Sequence, residues 1–377
     1  MKVLHITLGL GNGGAEGALF RLVKFDKLNE HVIISIMGDG IYGEQLRALG
    51  NEVFSLDVPQ GKFKLGCIFT IYKLIRKISP DVVQTWLYHA DLLGGVLARM
   101  AGIKAVVWGI RHSNLDKKLN SRMIIYIAKI SAKLSRIIPK KIISCSSKAA
   151  KVHVGIGYNK DKMTVIPNGY DLSKLRFSEE GRVKNRESWD VNNNDFVFGM
   201  VGRWNPLKDH ANFIKAIAYL QRNNGRPIKC VLVGPGIDEN NVELSILIDK
   251  YELNDVILLV GPTSNINEVM SAFDALVLPS SGEAFPNVVA EAMACCTPCI
   301  VTDVGDAALI VNDYGWVVPP VDHIALSVAM EKSIVQREHN ENWVVLKENC
   351  RKRIEDDFSI EKMVSRFDKV WVSALHS

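Results

Sequence analysis

The stretch SGEAFPNVVAEAMACCTPCIVTDVGD, residues 281–306, sets two carboxylates, Glu283 and Glu291, eight positions apart around Pro286. Proline suits the first position of a helix, where its missing N–H costs nothing. A helix is therefore predicted to begin at Pro286, with Glu283 just outside it and Glu291 inside. An ordinary surface helix explains both acids as a terminal charge and an exposed glutamate. The amides around Phe285, Pro286, Asn287 and Val288 suggest more, because a helix start exposes unpaired N–H groups and attracts an anion. At 1.5 Å of rise per residue, Glu291 lies roughly 7–8 Å further along the axis, the right reach for ribose hydroxyls when a phosphate sits at the helix start. Glu283 reaches the other side of that phosphate. The pattern suits a nucleoside diphosphate-sugar gripped along its length.

Working outward, ALVLPS (275–280) and CIVTD (299–303) read as strands flanking this helix. The same alternation runs through the chain. KVLHITLG, HVIISIMG, EVFSLDV, VVQTWLY, AVVWGIR and KIISCS read as strands of a first half, separated by the helical patterns EGALFRLVKFD, GEQLRALG, CIFTIYKLIRKIS and DLLGGVLARMAG. FVFGMVG, KCVLVGPG, VILLVG and GWVVP continue the habit in a second half. Such alternation predicts an α/β protein with parallel sheets covered by helices on both faces. TVIPNGYD (164–171) reads as a strand ending in a turn, so a boundary is expected there: residues 1–166 form a first Rossmann-like domain and 167–358 a second. The polar stretch 178–195 reads as a poor core former. The final helical pattern, 359–377, is expected to pack back on the first domain. Ligands bind beyond the carboxyl ends of such strands, and two facing sheets predict one cleft.

Bulk composition narrows the function classes. The 377 residues are 47% apolar and 23% charged, a soluble globular balance. No run of about 20 apolar residues suggests a spanning helix, and MKVLHITLGLGNGG does not read as a signal peptide. The net charge of +5 is mild, and no aromatic-interleaved basic platform points to nucleic acid. Seven cysteines are scattered. CCTPC lacks a nearby histidine and reads as buried thiols rather than metal ligands, which predicts a reducing, cytoplasmic compartment.

Three further loops follow strands. GLGNGGAEGAL (9–19) satisfies G-x-G-x-x-G with Gly9, Gly11 and Gly14, and Asp39 ends the second strand. That pattern leaves open a dinucleotide site, a phosphate or substrate loop, and a structural turn. GMVGRWNPLKDH (199–210) carries Arg203 and Lys208, a guanidinium for paired phosphate contacts and a movable ammonium; two surface charges are the plainer explanation. LVGPG (232–236) is by itself a strand-to-helix turn.

Taken together, GGAE, VGRWNPLKD, LVGPG and the Glu283–Glu291 stretch, in this order over nearly the whole chain, resemble the retaining glycosyltransferases of family 4 (glycosyl transferases group 1). Many members of that family have Gly after the first Glu where this chain has Ala284. The resemblance implies the GT-B fold, two doubly wound Rossmann-like domains facing each other across a cleft. It implies that Arg203 and Lys208 bind the donor diphosphate with Phe285, Pro286, Asn287 and Val288. Glu283 then faces the donor sugar, and Glu291 holds the ribose. Gly13 and Gly14 belong to the acceptor or phosphate loop. His112, in RHSN after AVVWGI, is expected near the reaction centre; His89, in TWLYHADLLGG, is expected to help hold the acceptor. The family implies transfer from a UDP- or GDP-sugar with retention and without a metal or other cofactor, and no Asp-x-Asp triplet is present.

One segment stands apart by charge. LDKKLNSRMIIYIAKISAKLSRIIPKK (115–141) carries Lys117, Lys118, Arg122, Lys129, Lys133, Arg136, Lys140 and Lys141 against a single acid, Asp116. Met123, Ile124, Ile127, Ile130 and Leu134 recur at helical spacing. A basic amphipathic helix suits an anionic membrane surface, so peripheral contact with the inner face of the cytoplasmic membrane and a polyprenyl-diphosphate-linked glycan acceptor are expected. The competing readings are a GT-B-fold sugar-nucleotide epimerase, an NAD-dependent Rossmann oxidoreductase, and a non-catalytic module binding nucleic acid or anionic membrane.

Overall fold

The computed structural model describes residues 1–59, 65–113, 115, 121–192, 194–224 and 226–377. Two compact units emerge: Met1–Gly169 with Ile360–Ser377, and Tyr170–Ser359. In unit one the order is β1 (Lys2–Thr7), α1 (Gly14–Phe25), β2 (Glu30–Ser35), α2 (Tyr42–Ala48), β3 (Glu52–Ser55), α3 (Leu65–Ile78), β4 (Val82–Trp86), α4 (Tyr88–Met100), β5 (Ala105–Ile110), α5 (Arg122–Leu134), β6 (Lys141–Ser144), α6 (Ser147–Gly155) and β7 (Met163–Val165). Unit two continues with α7 (Glu179–Ser188), β8 (Phe196–Val201), α8 (His210–Asn224), β9 (Ile228–Val233), α9 (Val242–Lys250), β10 (Ile257–Gly261), α10 (Ile266–Ala272), β11 (Ala275–Leu278), α11 (Asn287–Ala294), β12 (Cys299–Thr302), α12 (Ala307–Val311), β13 (Gly315–Val318), α13 (His323–Glu338) and α14 (Asn340–Asp357). The last helix, α15 (Ile360–Leu375), belongs to unit one.

Both sheets are wholly parallel. Their strand orders are β3-β2-β1-β4-β5-β6-β7 and β10-β9-β8-β11-β12-β13. In each, the order reverses beside the unit's first strand, between β1 and β4 and between β8 and β11. The loops leaving those strands therefore diverge and open a crevice at their carboxyl ends. The strands are near-continuous apolar runs because both faces are covered.

The tail of the chain is tied into unit one by its apolar periodicity. Ile360, Met363, Phe367, Val370, Trp371 and Ala374 recur every three or four residues on α15, and all are buried with Val3, Leu19, Leu22 and Trp86. The Trp371 indole N–H donates to Gln84 Oε1 at 3.1 Å, so its polar edge is satisfied. Burying that side chain contributes on the order of 3 kcal/mol.

One segment adds to the sequence reading and a second departs from it. The polar stretch 178–195 holds a helix, α7, fixed by arginines rather than by an apolar stripe. Arg182 and Arg186 reach the buried Asp274 at 2.9 and 3.2 Å, Arg337 joins them at 3.2 Å, and carbonyls of Ser271, Ala272 and Phe273 take further guanidinium N–H groups. The basic segment is also shorter as a helix than its charge pattern suggested. α5 ends at Leu134, and Lys162 donates from Nζ to the carbonyls of Arg136 and Pro139 at 2.7 and 2.8 Å just beyond it.

Asp91 in α4 is fully buried. Its Oδ1 accepts from Thr85 Oγ1 at 2.5 Å and from the Gly109 amide at 3.1 Å, while Oδ2 has no hydrogen-bond partner among the described residues. Burial pushes the carboxyl up to about 7, against these bonds and the nearby Arg111 charge. A carboxyl raised in the folded state stabilises fully below its unfolded pKa, and that stabilisation is lost as pH rises through the folded value. Wild-type stability should therefore fall between about pH 4 and pH 7 relative to Asp91→Asn, by at most about 4 kcal/mol. Denaturant titrations of both proteins across that range check it.

Candidate active site

The β8–β11 switch point of unit two gathers the residues singled out in the second half. The first loop leaves β8 with Arg203, whose side chain is exposed, and makes a single 3-10 turn, Pro206–Lys208, capped by the Asn205 side chain. The second leaves β11 through Ser280 to Glu283 and enters α11. The loops are tied together: the Ser281 amide donates to the Leu207 carbonyl at 2.9 Å, and Lys208 Nζ donates to Glu283 Oε1 at 2.6 Å. The Lys208 and Glu283 side chains are 21% and 14% exposed, so this is a half-sheltered ion pair. The LVGPG turn closes over the same edge, with the Gly202 amide donating to the Val233 carbonyl at 2.9 Å and the Trp204 amide to the Pro235 carbonyl at 2.9 Å. Gly234 sits at φ 148°, and a Cβ there would meet the Gly202 carbonyl oxygen at 2.2 Å.

The helix begins one residue later than the proline rule predicted. Pro286 is the N-cap of α11, and Asn287 is the first helical residue. The reason is conformational: Pro286 has φ −75° but ψ 95°, an extended backbone. Pro286 contributes no side-chain hydrogen bond to this helix start. Phe285 and Pro286 are buried, whereas Asn287, Val288 and Glu291 are half-buried.

Three supports of Glu283 escaped the sequence reading. Ser280 is fully buried and donates from Oγ to Glu283 Oε1 at 3.0 Å; its own carbonyl accepts from Thr302 Oγ1 at 2.6 Å. Gly305 lies at φ 54°, where a Cβ would strike the Ala284 and Glu283 carbonyl oxygens at 2.4 and 2.6 Å, and the Asp306 amide donates to the Ala284 carbonyl at 3.1 Å. The VGD turn thus lies directly against the backbone that carries Glu283. Its only sequence signal was the glycine after CIVTD; the contact depends on β12 lying beside β11.

In unit one, the β1–β4 switch point carries the glycine loop and His89. Gly13 is the extended N-cap of α1 and Gly14 its first residue. His89 is the second residue of α4, directly after β4; it is half-buried, and burial lowers its pKa. Leu87, the N-cap of α4, is held at φ 70° with its amide donating to the Gly109 carbonyl at 2.9 Å, a backbone conformation that costs about 1–3 kcal/mol. His112 follows β5 and meets the edge of the Tyr88 ring, with centroids 6.2 Å apart. Behind it, His153 donates from Nδ1 to the Ala149 carbonyl at 2.7 Å, which leaves Nε2 to accept the Tyr88 hydroxyl at 2.7 Å. Burial holds His153 down at about 4, so it stays neutral. Arg111 stacks on Trp86, 4.5 Å from the ring centroid, and donates to Asn168 Oδ1 at 2.7 Å. Asp39, the acid required by the dinucleotide reading, takes both Arg47 guanidinium nitrogens at 2.6 and 3.0 Å.

The basic face is only partly as expected. Arg122, Tyr126, Lys129 and Lys133, spaced by four, three and four residues, form one exposed stripe of α5, and α5 contains no acid. Arg136 is exposed just beyond it. Met123 lies 67% exposed instead of joining the buried side, with Tyr126 and Ile137 exposed to 66% and 69%. Lys140 and Lys141 are not on the helix: Lys140 donates from Nζ to the Ser377 carbonyl at 2.8 Å, and Lys141 opens β6. Lys117, Lys118 and Asn114 lie outside the described residues. Cys295 and Cys299 are buried free thiols, pushed by burial up to about 12 and well above the usual value. Among the described residues, no three His, Cys, Asp or Glu side chains converge as a metal site requires, and no helix is long and apolar enough to cross a membrane.

Comparison with known proteins decides the family. Residues 181–352 match the family described as Glycosyl transferases group 1, and residues 25–174 match Glycosyltransferase Family 4. The chain belongs to the family 4 (group 1) glycosyltransferases. An Escherichia coli relative, UDP-Gal:alpha-D-GlcNAc-diphosphoundecaprenol alpha-1,3-galactosyltransferase, is 28% identical over 81% of this chain and 78% of its own length. A Campylobacter jejuni relative, N,N'-diacetylbacillosaminyl-diphospho-undecaprenol alpha-1,3-N-acetylgalactosaminyltransferase, is 25% identical over 78% and 79%. The crystal structure of Anabaena HepE in complex with UDP superposes with a TM-score of 0.84, at 20% identity, covering 99% of this chain and 100% of that one. The two parallel-sheet units of this glycosyltransferase are those of the GT-B fold.

Proposed function

We propose that this glycosyltransferase moves a sugar from a UDP-sugar to a hydroxyl of a saccharide carried on polyprenyl diphosphate, in bacterial surface-polysaccharide synthesis. Unit two takes the donor and unit one the acceptor. The observation that carries the reading is the Lys208–Glu283–Ser280 contact beside the uncapped start of α11, at the switch point of the unit-two sheet. The printed activities of the Escherichia coli and Campylobacter jejuni relatives, both on diphosphoundecaprenol-linked sugars, support the acceptor class.

Each group has a physical task in this scheme. The α11 amides and the Arg203 and Lys208 cations receive the donor diphosphate and offset the charge that develops as UDP leaves. A divalent metal is then not needed for that charge, and transfer should persist in chelator. Glu291, just over one helical turn into α11, accepts the ribose hydroxyls. Glu283, oriented by Ser280, positions the donor sugar rather than attacking it, and the leaving phosphate assists removal of the acceptor proton. That front-face course retains the anomeric configuration. Gly13, Gly14, His89 and His112 face the acceptor side. The exposed α5 stripe, with Tyr126 among its cations and Met123 exposed beside it, rests on the anionic inner face of the membrane and keeps the enzyme where its lipid-linked acceptor lies.

Calorimetric titration with UDP tests the donor half. Arg203→Ala and Lys208→Ala should each weaken binding about 10–100-fold, the range for losing charge-assisted phosphate contacts. Unchanged binding in both variants would refute the assignment.

A further inference from the structure

Two residues at the ends of unit two reach the loop that starts α11. Tyr170, its first residue, is 1% exposed and donates from its hydroxyl to Asn287 Oδ1 at 2.7 Å. Phe358, one residue from the other end, sets its ring 5.8 Å from that of Phe285. These supports are themselves joined: the Tyr170 amide donates to the Phe358 carbonyl at 3.0 Å, and Tyr170 bridges in parallel to Ser359. Phe285 and Asn287, on either side of the Pro286 cap, are thus anchored to one short piece of backbone.

The chemistry of asparagine gives this anchor a purpose. Asn287 opens a helix whose cap contributes no side-chain hydrogen bond. A short amide side chain at such a place competes for nearby backbone N–H groups, the same groups that would face a phosphate. Once its Oδ1 accepts the Tyr170 hydroxyl, it is turned toward the protein and away from that competition. We propose that Tyr170 is a positioning residue for the donor diphosphate: by holding Asn287 Oδ1 it keeps the amides at the start of α11 directed to the phosphate. This rests on the reading of α11 as the donor site. Tyr170 itself does not touch the donor, so its influence falls on nucleotide affinity and not on the chemical step.

The test is a double-mutant cycle read by calorimetric titration with UDP, and with GDP in parallel. The proteins are wild type, Tyr170→Phe, Asn287→Ala and the double variant. Phenylalanine keeps the buried ring, and thermal midpoints verify the fold of all four. Tyr170→Phe should weaken nucleotide binding about fivefold, the equivalent of one neutral hydrogen bond. The same factor should appear in the donor KM, with kcat and acceptor KM unchanged. In the Asn287→Ala background, removing the Tyr170 hydroxyl should have no further effect. Wild-type affinity in Tyr170→Phe, or an equal loss with and without Asn287, would overturn the proposal and leave Tyr170 a packing residue. Lys208→Ala in the same titration separates the two levels. If it loses nucleotide while Tyr170→Phe does not, only this proposal falls. If the wild type binds neither UDP nor GDP, the donor reading falls and takes this proposal with it.

Discussion

Glu283→Ala should lose transfer by a factor on the order of 10²–10³ in kcat while the protein remains folded and retains UDP. Glu283 is held from two directions, by Lys208 Nζ and by Ser280 Oγ, on a backbone that the Gly305 turn lies against. So much fixing of one half-sheltered carboxylate makes sense if its oxygens must meet a sugar in one orientation, since small errors of position are costly in rate. Removing the side chain also leaves the Lys208 ammonium without this carboxylate, which should help rather than hinder a diphosphate. Nucleotide affinity and turnover should therefore separate in this variant. Glu283→Gln keeps an acceptor for Lys208 and Ser280, and it should lose nearly as much turnover if the negative charge itself is used. Steady-state kinetics beside UDP titration checks both. Full activity in Glu283→Ala would end the assignment.

The second large effect concerns the membrane. Neutralising Arg122, Lys129, Lys133 and Arg136 to Gln should weaken binding to phosphatidylglycerol vesicles by a factor on the order of 10² or more, at about 1 kcal/mol for each cation near the surface. These four residues are exposed in the folded protein. Activity on a short, water-soluble acceptor should be unchanged, whereas activity on a lipid-linked acceptor in vesicles should drop. Flotation with and without anionic lipid reads the first effect. Equal flotation of wild type and variant would remove α5 from the membrane surface.

Much of this was legible in the amino-acid order because the informative residues follow strands. Alternating apolar runs gave both sheets, and Pro286 gave the helix start to within one residue, shifted because Pro286 is extended and caps rather than opens α11. The apolar period of residues 360–374 is what buries α15 in the first unit. What stayed hidden depends on adjacency in space. α7 has no apolar stripe to announce it: its arginines work through Asp274, 88 to 92 residues away. Ser280, Gly305 and Tyr170 have ordinary local contexts, and their contacts exist only once β11, β12 and the ends of unit two are assembled. The start of α4 was hidden as well: Leu87 sits at positive φ, a conformation that leucine rarely adopts, and α4 begins immediately after β4.

The most direct measurement is the transfer reaction itself: wild-type protein with a panel of UDP-sugars and a saccharide on undecaprenyl diphosphate, in EDTA, with the new linkage assigned by anomeric coupling in NMR. The expected product carries one added sugar in the anomeric configuration it had on the nucleotide. An inverted linkage, a strict need for divalent metal, or a sugar isomerised on the nucleotide with none transferred would contradict the proposed reaction.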